Sequence, residues 1–283
     1  MRFPHSLGSA WMIPAALFLT LSGALVKSAA QNLHMNAYEL VFWRVLFAVV
    51  FLAAQALLLK RSFRTAVPLQ HLWRSLAGTG GLMLFFYGLA HLPLGTAVTL
   101  NYTSAIFLAL LSVWLLKERP SAKVWAALLS GMAGIVLILQ PSLQSGQFQA
   151  ALLCLGSGLC SGYAYLKVRE LSLSGEPAWR IVFYFSLTAA VVSAAAATWQ
   201  GWTRPPLHGI ATVAGIGLTA LAGQLALTHA YKVGQKFTVA ALSYLTVALS
   251  ALYGAAVFGD VLTWADALGI ALIIVGGIVS SLR

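Results

Sequence analysis

The sequence predicts an all-α integral membrane protein: ten transmembrane helices in two inverted five-helix repeats, with both termini in the cytoplasm. Three observations carry that prediction. Of 283 residues, 60% are hydrophobic and only 8% charged, against roughly 25% charged in a soluble chain, so the charges cannot cover a globular surface of this size. The Lys and Arg residues behind the net charge of +11 lie in short clusters between apolar runs. That is the pattern of a polytopic chain with basic cytoplasmic loops, and it argues against a nucleic-acid partner. Finally, the two halves echo each other at a shift of 142 residues.

A bilayer-crossing helix needs about 20 apolar residues. Such runs read near 9–30, 38–59, 71–91, 95–116, 121–140, 147–167, 178–200, 208–231, 237–258 and 263–282. Polar or proline-bearing breaks separate them, among them Lys60 to Pro68, His91-Leu92-Pro93, Lys117 to Pro120, Arg169 to Pro177 and Lys232 to Lys236. No stretch is long enough for a soluble domain, so residues 1–283 form one membrane domain. Arg2, the following apolar core and Ser28-Ala29-Ala30 resemble a signal peptide, but the core from Ala10 to Val26 is long for one, and the segment is expected to remain as the first span. Cys154 and Cys160 are six apart on one span, whereas helix neighbours lie three or four apart. They read as small core residues, and neither a disulfide nor a metal site is expected.

Orientation follows from the basic residues. With the N-terminus inside, 14 of the 17 fall in cytoplasmic segments: Arg2, Lys60, Arg61, Arg64, Arg74, Lys117, Arg119, Lys123, Lys167, Arg169, Arg180, Lys232, Lys236 and Arg283. The outer loops hold only Arg204, while Lys27 and Arg44 lie in or near spans. This asymmetry predicts both termini inside.

The repeats are residues 1–141 and 142–283. Shifted by 142, Thr96, Leu100, Tyr102, Ala109 and Leu110 fall on Thr238, Leu242, Tyr244, Ala251 and Leu252, Glu118 on Asp260, and Gly134 on Gly276. In each half a polar-studded span is followed by an acidic residue, a short loop and a glycine-bearing span. An odd number of spans per half inverts the second copy, a construction used by secondary transporters with a site near the membrane midplane.

Leu92-Pro93-Leu94-Gly95-Thr96-Ala97, leading to Leu115-Leu116-Lys117-Glu118-Arg119-Pro120-Ser121, resembles the fourth-to-fifth span junction of the EamA-type drug/metabolite transporter superfamily. Gly131 to Ile135 resembles that family's fifth span, Phe258-Gly259-Asp260 with Gly269 and Gly276-Gly277 its second copy, and Arg44 after Glu39-Leu40 its second-span arginine. The resemblance covers essentially the whole chain and is similar to the YddG-like amino-acid exporters, among others. It implies a bacterial inner-membrane carrier. Many members carry a proline midway along the fourth and ninth spans, where this chain has Asn101 to Ala105 and Ser243 to Val247. A mid-span kink is therefore not expected from the sequence.

Candidate substrate-lining residues come from polar stripes. Ser243, Thr246, Ser250 and Tyr253 share one face of the ninth span, with Asn101 and Ser104 at the matching place in the fourth. Thr96, Thr99 and Thr103 form a neighbouring stripe, Gln224, Thr228 and Tyr231 share a face of the eighth span, the third contributes Tyr87 and His91 at its outer end, and the sixth Ser161, Tyr163 and Tyr165. Such groups cannot face lipid. They line a cavity, or they hold helices together and back-bond to the preceding turn. Intramembrane charge is costly and usually functional. Arg44 is thus a candidate for a substrate carboxylate, the alternative being a bond to Glu39 or to helix-end carbonyls. Lys27 is expected to snorkel, and Gly78, Gly80 and Gly81 to permit close helix approach rather than to cradle phosphate.

No Asp or Glu lies mid-span, which disfavours proton-coupled export of cationic drugs and points to facilitated diffusion or exchange. No HExxH or GxSxG occurs, so an enzyme is not expected, and no cofactor or metal is implied. The reading is an alternating-access carrier, an exporter or facilitator, of small neutral or zwitterionic metabolites, amino acids first. Nucleobases or other small aromatic metabolites are the alternative substrate class, and a channel-like or non-transporting component the alternative function. The partners expected are a small-molecule solute and lipid; the sequence sets no oligomeric state.

Overall fold

The computed structural model describes residues 8–33, 35–92, 94–140, 146–203, 209–258 and 261–281, and all regular structure among them is helical. Arg2, Arg204, Asp260 and Arg283 lie outside the described residues, as does the side chain of Lys27.

In chain order the helices are α1 (Met12–Asn32), α2 (Ala37–Leu58), α3 (Pro68–His91), α4 (Leu94–Tyr102), α5 (Ser104–Leu116), α6 (Ala122–Leu139), α7 (Phe148–Leu173), α8 (Ala178–Gln200), α9 (Gly209–Val233), α10 (Lys236–Ser243), α11 (Leu245–Tyr253) and α12 (Trp264–Ser281), with a π-helical turn at Gly254–Phe258. Among the described residues, eight helices are long and apolar enough to cross a membrane, with a shorter apolar helix at Met12–Val26; two of the eight combine α4 with α5 and α10 with α11.

Local chemistry sets the ends. The Asn36 side chain accepts from the Glu39 N–H at 2.9 Å and caps α2, Pro68 opens α3 where its missing N–H costs nothing, and Lys117 and Gln140 terminate α5 and α6 in the left-handed conformation. Helix α7 runs to Leu173, past the boundary at 167 that its charges suggest. Lys167 is neutralised by Glu170 one turn on, at 2.6 Å, and Arg169 donates to the Tyr231 and Lys232 carbonyls, both at 2.8 Å.

The outside of the bundle is apolar: Trp199 and Trp264 are 92% exposed, and Val50, Leu57, Leu58 and Trp114 are also open. Only lipid accommodates such a surface, with tryptophans at its margins. The interior is built of small and polar residues, with Ser112, Ser157, Ser193 and Thr228 fully buried. Helix α3 packs on α7 as α9 packs on α1, α5 on α7 as α11 on α1, and α9 on α2 as α3 on α8. Helices α6 and α12 pack on each other. A Cβ at Gly134 would lie 2.5 Å from the Gly269 carbonyl oxygen, and one at Gly276 would lie 2.8 Å from that of Ala127. Bare glycine lets these helices touch backbone to backbone.

The loops at one end contain Lys60, Lys117, Arg119 and Lys232; this is the basic end. Gln235 N–H donates to Ser9 Oγ at 3.0 Å and Thr238 Oγ1 to the Ser280 carbonyl at 2.7 Å. The first and last described segments therefore sit at that end too.

The sequence lacks proline in the middle of the fourth and ninth spans, yet both are interrupted there, at Thr103 and at Tyr244. The Thr103 and Ser243 hydroxyls bond back to the carbonyls of Leu100 and Ala240, three residues earlier. Such bonds draw backbone acceptors away from the regular ladder and bend helices. Gly158 of α7 packs against Thr103 and the Leu100 carbonyl so closely that a side chain would collide.

Candidate functional site

The two interruptions meet. Tyr102, the last residue of α4, and Tyr244, between α10 and α11, contact edge to face with ring centroids 6.3 Å apart. These are the two tyrosines related by the 142-residue shift. Beside them Tyr165 of α7 stacks on Tyr231 of α9, at 5.2 Å and 16°. The Tyr102 hydroxyl is hydrogen-bonded to Thr246, while the buried Tyr244 hydroxyl has no partner among the described residues. Arg44 of α2 and Arg74 of α3 both lie within electrostatic reach of the Tyr165 hydroxyl. Arg44, Tyr102 and Tyr165 are half-buried.

The two guanidinium groups approach from opposite ends. Arg44 lies about 10 Å in from the start of α2, and Arg74 about 9 Å in from the basic end of α3, at 1.5 Å per residue. Neither donates a hydrogen bond or enters an ion pair among the described residues. The expected alternative for Arg44, a bond to Glu39, does not form. Glu39 is buried and accepts instead from the Thr203 N–H at 3.1 Å and from the Thr203 hydroxyl. Arg74 is only 2% exposed, and its guanidinium lies 4.1 Å from the Phe185 ring centroid. A desolvated cation–π contact contributes about 2 kcal/mol or somewhat more, whereas burying an ion costs several. The Nε and Nη1 donors of Arg74 are buried without a hydrogen-bond partner among the described residues.

Of the candidate residues, the structure brings Arg44 and Thr246 to this centre. Asn101 Nδ2 donates to Ser157 Oγ at 3.0 Å, tying α4 to α7, and Ser104 is buried where α5 begins. Ser243 back-bonds at the second interruption. Tyr87 stacks on His91 at 4.1 Å, at the end opposite the basic loops. Tyr163 lies near Lys167, at 5.4 Å, and Gln224 and Tyr253 are half-buried on α9 and α11. Sequence reasoning misses Arg74, counting it with the cytoplasmic loop charges; of Tyr163 and Tyr165, both named on the sixth span, it is Tyr165 that lies within electrostatic reach of the two arginines. One signal for Arg74 was present: Gly78, one turn on, where any Cβ would collide with Arg74 Nη1.

Both ends are latched. At the basic end Glu118 pairs with Lys236 at 2.6 Å. Glu176 accepts from Thr65 at 2.6 Å and from Arg180 at 2.9 Å, and lies 3.3 Å from His71. Burial opposes ionisation of Glu176, but the Thr65 and Arg180 hydrogen bonds, the Arg180 charge and His71 outweigh it and hold the carboxyl below its ordinary value. A cleft of about 200 Å3 opens between α3 and α8, lined by Thr65, His71, Ser75 and Tyr184 among others, and includes neither arginine. Among the described residues no three His, Cys, Asp or Glu side chains gather as metal ligands. At the other end Asn36 Nδ2 donates to the Gly201 carbonyl at 2.8 Å.

Polar and cationic groups collected where two interrupted helices meet, inside a bundle with a lipid-facing surface, define a class: a multi-pass integral membrane protein that handles a small solute. The model of the EamA-like transporter family matches residues 6–140 and again 148–282. The chain belongs to the EamA-like transporter family. It is 31% identical over 245 residues to the pseudopaline exporter CntI of Pseudomonas aeruginosa, covering 85% of this chain and 84% of that protein. It is 29% identical over 275 residues to a riboflavin transporter of Vibrio cholerae (94% and 90% covered) and 24% identical over 257 residues to an S-adenosylmethionine uptake transporter of Rickettsia bellii (90% and 87%). A solved crystal structure superposes with a TM-score of 0.85 at 20% identity, covering 98% of this chain and 96% of that one, and shares the fold. The protein is therefore a transporter of small metabolites and not an enzyme, and with bacterial relatives it is assigned to the inner membrane.

Proposed function

We propose that this transporter carries small zwitterionic metabolites, amino acids first among them, outward across the membrane by alternating access. The observation that carries the reading is Arg44, an unpaired guanidinium facing Tyr165 at the meeting point of the two broken helices. A guanidinium in that setting binds a carboxylate in a two-pronged fit. Ten spans, with α3 as the third, and two inverted repeats at 1–141 and 142–283 complete the proposal. The reciprocal helix pairings and the double family match at the same 142-residue shift support it. The basic end is then cytoplasmic, since the charge bias survives the removal of Arg74 from the loop count.

The five acidic residues among the described residues sit at or near helix ends or in loops. Transport is accordingly exchange or facilitated diffusion, with the third, fourth, eighth and ninth spans rocking about the centre. A second reading, small aromatic metabolites, is favoured by the tyrosine pairs, whose faces suit a planar ring. Counterflow of labelled amino acids and nucleobases into proteoliposomes separates the two. Saturable exchange of amino acids is expected; exchange of nucleobases alone, or unsaturable flux, would overturn the proposal.

A further inference from the structure

Arg44 and Arg74 both lie within electrostatic reach of Tyr165, Arg74 packed on Phe185, and no carboxylate among the described residues pairs with either. Every described carboxylate is engaged elsewhere: Glu39 with Thr203, Glu118 with Lys236, Glu170 with Lys167, Glu176 with Thr65, His71 and Arg180, and Asp266 with the Thr263 N–H and hydroxyl at the start of α12. Arg74 Nε and Nη1 are buried without a hydrogen-bond partner. Arg74 is not snorkelling either, because the group is enclosed between Phe185 and the space left open by Gly78. A single carboxylate on Arg44 leaves Arg74 uncompensated, and the two guanidinium groups come to Tyr165 from opposite ends of the bundle.

We infer that the centre selects solutes bearing two anionic groups, short dicarboxylates including amino acids with a side-chain carboxylate. Arg44 takes one group, Arg74 the other, and Tyr165 stands between them. The inference rests on the proposed function in placing the substrate at Arg44, and it makes Arg74 the residue that determines specificity. A site of this kind rejects the isosteric amide, because the amide leaves a buried cation unpaired.

The test uses two isosteric pairs, glutamate with glutamine and succinate with succinamate. Each is measured in two ways on the purified full chain: as a shift in melting temperature in detergent, against sodium chloride at matched ionic strength, and as counterflow in proteoliposomes. The diacid of each pair is expected to stabilise the wild type and to be preferred by roughly tenfold or more, the worth of one charge-assisted hydrogen bond. Arg74→Gln is expected to bring the ratio within each pair close to one. Without solute it should also melt higher than the wild type, which a structural arginine would not do, and Arg74→Lys should keep part of the preference. Equal handling of acid and amide by the wild type, or stabilisation matched by sodium chloride, would overturn the inference while leaving amino-acid exchange standing. Exchange unaffected by Arg44→Gln would instead remove the reading beneath it. An Arg74→Gln protein that melts lower and keeps the wild-type ratio would assign Arg74 to packing and overturn the inference.

Discussion

The two halves of the molecule share a scaffold and divide the chemistry. At the 142-residue shift, Arg44 and Arg74 of the first half correspond to Ser186 and Ile216 of the second, both buried and uncharged. In the other direction, Tyr165 and Tyr231 correspond to Gly23 and Leu89. Only Tyr102 and Tyr244 are held in common, and these meet each other. One half thus brings cations, the other the stacked phenols, and the shared pair marks the seam. Packing tolerates near-symmetry because apolar contacts carry no direction. A bound solute has distinct ends, and its recognition demands asymmetry.

Three perturbations sharpen that division, from the largest effect to the smallest. Gly134→Leu forces a side chain onto the Gly269 carbonyl and should cost roughly 3 kcal/mol, as overpacking does. Gly276→Leu, its counterpart against Ala127, should lower the melting temperature by a similar amount. Markedly unequal losses would break the symmetry of the scaffold. Tyr102→Phe and Tyr244→Phe should separate the shared pair. The first loses a hydrogen bond to Thr246 and about 1 kcal/mol; the second removes a buried hydroxyl with no partner and should be neutral or mildly stabilising.

The smallest effect concerns the basic-end latch. Because the folded Glu176 carboxyl is held below its ordinary value of 4.5, its contribution is complete above that value. It is lost as pH falls through the lower folded value. The stability gap between wild type and Glu176→Gln should therefore narrow on acidification below about pH 4.5. A gap that widens there would remove Glu176 from the latch.

The helical spans were legible because bilayer length and apolar composition admit few alternatives. The interruptions at Thr103 and Tyr244 were not, since they arise from hydroxyl back-bonds and from the approach of Gly158 rather than from proline. Helix α7 outran its expected end because its charges are satisfied by Glu170 and by the carbonyls that close α9. Arg44 stood out as a charge inside an apolar run. Arg74 did not, because a basic residue within two turns of a basic loop looks the same to hydropathy whether it points out or in. Tyr163 and Tyr165 lie on opposing faces of one helix, and only the packing of α7 against α3 and α9 decides which faces the centre.

The central claim is that the charge of the first half, and not its counterpart in the second, holds the solute. Labelled amino-acid counterflow in proteoliposomes, run side by side on wild type, Arg44→Gln and Ser186→Ala with equal insertion verified, tests it most directly. Truncating one partner of a buried charge pair costs about 2–5 kcal/mol, so Arg44→Gln should lose exchange by roughly a hundredfold, with Ser186→Ala close to the wild type. Equal exchange by all three, or a greater loss in Ser186→Ala, would contradict the account.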